Sequence, residues 1–107
     1  MFRKGDSEGY REVLTGVRLK TLVHGERTML CEFRFGRGAI VPEHQHSHEQ
    51  TGCVVSGSLK FSVAGEASIA APGDSWSLPA GIPHGAEALE DSVVMEVFSP
   101  PREDYLP

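Results

Sequence analysis

Apolar positions along the chain come in short runs separated by Gly and Pro: VRLKTLV, TMLCEFRF, TGCVVSG, LKFSVAG, ASIAAPG, SWSLPAG, GAEALE and SVVMEVFS. Each run is of strand length. Several alternate with period two: Met29, Cys31, Phe33 and Phe35 fall on one face of an extended segment, and Thr28, Leu30, Glu32 and Arg34 on the other. None holds a 3.6-residue apolar period long enough for a helix. Many short strands at even spacing predict an all-β chain built as an antiparallel sandwich or barrel. No linker, internal repeat or low-complexity tract interrupts the series. The expectation is one domain over residues 1–107, with an N-terminal strand segment at 1–27, a barrel at 28–99 and a tail at 100–107.

A chain of 107 residues can bury one core and not two, so any site lies in or on that one unit. No run of about twenty apolar residues could span a bilayer, and the opening MFRKGDSEGYREV contains no apolar leader. A cytoplasmic protein with no membrane partner is therefore expected. Cys31 and Cys53 are far apart in a chain with no secretory signal, which points to free buried thiols. The net charge of −5 argues against nucleic acid as a partner, because binding phosphates needs a basic face. Residues 1–37 carry eight Lys/Arg against five acids, whereas residues 38–107 carry ten acids against Lys60 and Arg102 alone. Either the basic N-terminal segment packs across the acidic body, in its own or a partner subunit, or the charge is simply solvated.

The segment PEHQHSHEQTG places three of the five histidines at every second position. On an extended strand His44 and His46 share a face, and in a small barrel one face is the interior. Gln50 keeps that parity and Glu49 does not, while His84, in PAGIPHG, can come from a distant strand across the lumen. Taken alone, the segment fits a chelating site or a polar turn rich in histidine. His48 lies in the turn, which suits a supporting or solvent-facing role better than ligation, and His24, beside Gly25 in a hairpin turn, reads as exposed. Trp76 and Phe61 read as core residues.

The longer spacing carries a family resemblance. Gly38, five residues, His44, one, His46, three, Gln50, six, Gly57 is similar to the first cupin motif, and Gly73, five, Pro79, one, Gly81, two, His84 is similar to the second. Fifteen residues separate the halves. The resemblance implies a double-stranded β-helix, or jelly-roll, barrel holding one divalent transition metal near its mouth through His44, His46, Gln50 and His84. Two departures stand out: Gln50 replaces the usual glutamate ligand, and Ala88 stands where an asparagine is expected. Four neutral ligands leave the ion its full charge, which favours polarising a substrate oxygen over activating dioxygen. Nickel, zinc, iron, manganese and copper all suit such a set.

PEHQHSHEQ together with HGAEALEDSVVMEVFSPPREDYLP resembles the pectin-degradation cupins that convert unsaturated monouronates to their linear keto form. That resemblance implies a catalytic acid at Glu96, substrate contact at Phe98, and a substrate-binding and catalytic arginine at Arg102. The group usually has aspartate where Glu96 stands. Alternation puts Val94, Glu96 and Phe98 on one strand face, so a carboxylate enters the barrel beside an aromatic ring. Glu96 could alternatively serve as a structural partner of Arg34 or Arg102. The leading function is a metal-dependent lyase or isomerase acting on a small sugar acid; a metal-dependent dioxygenase and a non-catalytic small-molecule sensor are the alternatives. A homodimer is expected, built from an outward-facing strand surface with the N-terminal segment crossing to the neighbour.

Overall fold

The computed structural model describes all 107 residues, and nearly all of its regular structure is strand. The strands are β1 (Arg11–Leu14), β2 (Val17–His24), β3 (Met29–Phe35), β4 (Ile40–His44), β5 (Glu49–Ser56), β6 (Leu59–Val63), β7 (Glu66–Ala70), β8 (Ser75–Leu78), β9 (His84–Ala88) and β10 (Ser92–Ser99), followed by a 3-10 turn at Glu103–Tyr105. They form two antiparallel sheets, one ordered β1-β2-β3-β10-β5-β8 and the other β4-β9-β6-β7. The eight apolar runs become β2, β3 and β5 to β10. β1 and β4 were not legible, for physical reasons. In REVL only Val13 is even half-buried, and β4 leaves Ile40 54% exposed and carries Pro42, which cannot donate to a ladder.

Alternation decides what lines the interior. On β3 it is Met29, Cys31, Phe33 and Phe35, and on β10 it is Val94, Glu96 and Phe98, all buried. Register then stacks them: Met29 stands opposite Phe98, Cys31 opposite Glu96, and Phe33 opposite Val94. Phe33, Phe98 and Tyr105 pack edge to face, with ring centroids 5.6 to 6.3 Å apart. Burying an apolar side chain of this size contributes roughly 1.5–3 kcal/mol. The cluster therefore folds the C-terminal turn against the barrel, assisted by the Thr21 hydroxyl, which donates to the Tyr105 carbonyl at 2.5 Å. Cys31 and Cys53 are both free thiols, but only Cys31 is buried, which pushes it up to about 11, while Cys53 on the outward face is half-buried.

The N-terminal segment lies on the outer face of its own β2 and β3. Lys20, only 3% exposed, donates to the Asp6 carboxylate at 2.7 Å and to its carbonyl at 2.8 Å. Arg3 donates to the carbonyls of Thr21 and Leu22, and Tyr10 donates to Glu32. A buried ammonium is tolerated only when paired, so this contact fixes the segment. Both partners of this ion pair belong to the N-terminal residues themselves, so it ties the segment to β2 and does not join a basic arm to the acidic body.

Gly57, in the turn between β5 and β6, has φ +85°, and a Cβ there would lie 2.2 Å from Ser92 Oγ and 2.4 Å from the Asp91 carbonyl oxygen. Gly38 has the same handedness, φ +84°, with nothing within 4 Å of a Cβ. Gly38→Ala should therefore cost only the left-handed penalty of about 1–2 kcal/mol. Gly57→Ala should cost clearly more, roughly 3 kcal/mol or above, because backbone must also move. Urea unfolding of the two variants checks the ordering; equal losses would contradict it.

Candidate metal centre

His44 ends β4 and stands directly opposite His84, the first residue of β9. A register shift between Val41 and His44, at the proline, sets that pairing. The two rings lie 4.3 Å apart. His46 is outside the strand, in the loop before β5, so strand alternation alone does not bring it in. Its ring nevertheless lies 5.5 Å from His44 and 5.0 Å from His84. One nitrogen from each of His44, His46 and His84 falls within 4.8 Å of the others, a cluster that could hold a metal ion.

Each ring is held from behind. His44 Nδ1 lies 3.0 Å from the Pro42 carbonyl, His46 Nδ1 3.0 Å from the His48 carbonyl, and His84 Nδ1 2.9 Å from the Ile82 carbonyl. A carbonyl oxygen only accepts, so each Nδ1 carries the proton and each Nε2 presents a lone pair. Burial pushes His46 and His84 below the usual imidazole range, with the Arg102 charge adding to the effect at both. Neutral rings are what a metal requires.

Two features show that a cation suits these residues. His84 Nε2 is buried and has no hydrogen-bond partner. Gln50 Oε1 lies 3.0 Å from His46 Nε2, which sets two acceptors face to face. Turning the amide would relieve that contact only by aiming its oxygen toward the neighbouring Glu96, whose carboxyl Gln50 helps to hold down. A positive ion between the imidazoles and the amide oxygen satisfies all of them. Glu49, by contrast, is exposed on the opposite strand face. His48 is half-buried and packs edge-on to His46 at 5.6 Å, outside the cluster, while His24 is exposed.

His44 and His84 of the cluster, with Gln50, line a cavity of about 520 Å³ that is also lined by Glu96, Phe98 and Arg102. Glu96 is 5% exposed, and burial pushes its carboxyl up to about 8. It pairs with neither Arg34 nor Arg102; its neighbours are Gln50 and the Trp76 indole, which donates to both carboxylate oxygens at 3.1 Å. Phe98 lies 6.1 Å from the His46 ring. Arg102 stacks over Tyr105 at 4.0 Å, and its fork is taken by Asp104 at 2.9 and 3.3 Å. Arg11 also reaches this tail, donating to the Asp104 carbonyl. Trp76, Asp104 and Arg11 were not identified as site neighbours from sequence.

The family model described as "Cupin domain" matches residues 31–99. The pectin degradation protein KdgF of Dickeya dadantii (strain 3937) is 32% identical over 103 residues, covering 94% of both chains. The solved structure of KdgF from Halomonas sp. is 39% identical with a TM-score of 0.88, covering 92% of each chain. An RmlC-like cupin from Shewanella frigidimarina NCIMB 400 superposes with a TM-score of 0.93 at 28% identity, over 98% of this chain and 95% of the other.

If the three imidazoles act together, His84→Ala should remove most bound metal although it is nearly forty residues from the others in sequence. His48→Ala, whose ring is outside the cluster, should leave occupancy almost unchanged. Elemental analysis of the purified variants checks both; full stoichiometry in His84→Ala would contradict the site.

Proposed function

Since the chain belongs to the cupin family, we propose that it is a metal-dependent lyase or isomerase that linearises a small sugar acid, an unsaturated monouronate. The observation that carries this reading is a buried carboxylate, Glu96, sharing one cavity with Arg102 and with His44 and His84 of the three-histidine cluster. The two KdgF relatives, one of them called a pectin degradation protein, support the substrate class.

An unsaturated uronate is a cyclic hemiacetal bearing an enol ether conjugated with a carboxylate. Linearising it takes ring opening and a proton shift to carbon, with no net oxidation or reduction. His44, His46, His84 and Gln50 would hold the divalent ion, which when bound supplies Lewis acidity toward a substrate oxygen. Arg102 offers the planar fork that suits the substrate carboxylate, which would replace Asp104 there. Phe98 packs beneath as an apolar floor. Glu96 moves the proton, since a carboxyl group among apolar neighbours is costly to keep unless it is paired or does chemistry. Glutamate in place of the usual aspartate extends that carboxyl by one methylene, and the geometry around it has to match.

We also infer a cytoplasmic homodimer. The outward face of the six-stranded sheet carries Leu30, Met95 and Val97, half-buried, and Val55, 53% exposed. A second copy would cover this apolar surface; the N-terminal segment, expected to cross to the neighbour, lies instead on its own β2 and β3.

Glu96→Gln should keep metal and fold but abolish the loss of substrate ultraviolet absorbance, which arises from the conjugated enol carboxylate. Arg102→Ala should chiefly raise KM, because a carboxylate clamp acts on ground and transition states alike. Turnover by Glu96→Gln at the wild-type rate would overturn the role of Glu96. Light scattering at micromolar concentration should give the dimer mass; a monomer mass would remove the inferred interface.

A further inference from the structure

Trp76, Gly52 and Glu96 stand in one row across three adjacent strands: Gly52 on β5 pairs with Trp76 on β8 and with Glu96 on β10. Trp76 and Glu96 are thus two strands apart, roughly 9.5 Å between backbones. Side chains so placed normally meet the residue between them. Here that residue has no side chain, and the carboxylate reaches over it to the indole, whose N–H is 3.1 Å from each oxygen. A Cβ on Gly52 would lie 2.3 Å from Glu96 Oε2 and 2.7 Å from Trp76 Nε1, so the contact exists only because position 52 is glycine.

The donor is itself fixed. The Trp76 ring stacks on Phe61 of the opposite sheet, 4.5 Å between centroids at 24°, so both sheets hold it. Equal distances to the two oxygens place the N–H on the axis of the carboxyl group, which sets its direction without engaging either oxygen alone. Chain length at position 96 matters for the same reason. An aspartate there would retract the carboxylate by about 1.5 Å, out of hydrogen-bond reach of the indole. Gln50 is also a neighbour of this carboxylate, and its Oε1 lies 3.0 Å from His46 Nε2.

We propose that Trp76 is a positioning residue for Glu96: its indole N–H, reached across Gly52, seats the glutamate carboxyl at the one depth in the cavity from which it serves the substrate. This rests on the reading of Glu96 as the proton-transfer group. The pocket is built for a glutamate, so Glu96→Asp should be slower than wild type.

Because Trp76 is the chain's single tryptophan, its indole N–H gives one unambiguous proton–nitrogen resonance. In metal-free protein that resonance should sit downfield of a free indole and exchange slowly with solvent. Glu96→Asp and Gly52→Ala should each move it upfield and speed its exchange by roughly tenfold or more. With substrate, Trp76→Phe should lower kcat by roughly tenfold or more while KM stays within about twofold. In a Glu96→Asp background, Trp76→Phe should cause no further loss, since the contact is already broken. An indole resonance indifferent to both Glu96→Asp and Gly52→Ala would overturn the seat. An active protein in which Trp76→Phe turns over at the wild-type rate would overturn its role. A wild type inert on every unsaturated uronate would instead refute the proposed activity, and the indole comparison in metal-free protein would still decide the seat.

Discussion

The site depends on three backbone carbonyls. Those of Pro42, Ile82 and His48 each accept from one imidazole Nδ1, and that choice of tautomer turns three Nε2 lone pairs toward one another. Without it, the rings would be a polar cluster with no common direction. The fold supplies the carbonyls in two ways. For His44 and His84, antiparallel pairing of β4 with β9 places the two residues opposite one another, and the acceptor comes from two residues earlier in each chain segment. For His46, the loop before β5 curls so that the carbonyl two residues later serves. Convergent lone pairs in a partly desolvated cavity are unfavourable alone, which is why the orphaned Nε2 of His84 and the Gln50 Oε1 contact both suit a cation.

The second constraint is the carboxyl group on the same floor. Burial in the barrel raises Glu96, and only two neighbours, Gln50 and Trp76, lower it again. Hydrogen bonds without a counter-charge do not offset full desolvation, so the group sits near 8 rather than in the ordinary carboxylate range. Gln50 touches both constraints: its Oε1 lies 3.0 Å from His46 Nε2, and it lowers the carboxyl of Glu96. A glutamate at position 50 would set a second carboxylate against the first, and mutual repulsion would disturb both. The neutral amide in this chain is compatible with a buried acid at 96 in a way that a charged ligand would not be.

Much of this could be read from residue order, and the remainder could not for definable reasons. Period-two alternation identified the strands with a buried face, because Met29 to Phe35 and Ser92 to Ser99 must put every second side chain inside. It missed β1 and β4, which bury almost nothing of their own. The convergence of His44, His46 and His84 was legible through parity and through the spacing of two glycine-bounded motifs, although His46 reaches the cluster by a loop rather than along a strand. Arg102 lines the cavity, but its pairing with Asp104, two residues on, is a matter of side-chain conformation that spacing does not encode. Trp76 read as core because alternation puts it inside. Its partner is two strands away, and only the order β8-β5-β10 reveals that Gly52 separates them.

Nitrogen-detected NMR of the histidine rings in metal-free protein measures the central feature most directly, because protonated and bare ring nitrogens resonate in well-separated ranges. His44, His46 and His84 are expected as neutral rings protonated at Nδ1, with all three Nε2 signals shifting together when one equivalent of zinc is added, and with exposed His24 unmoved. Protonation at Nε2 on any of the three, or zinc shifts that spare one of them, would contradict a centre preset by backbone carbonyls.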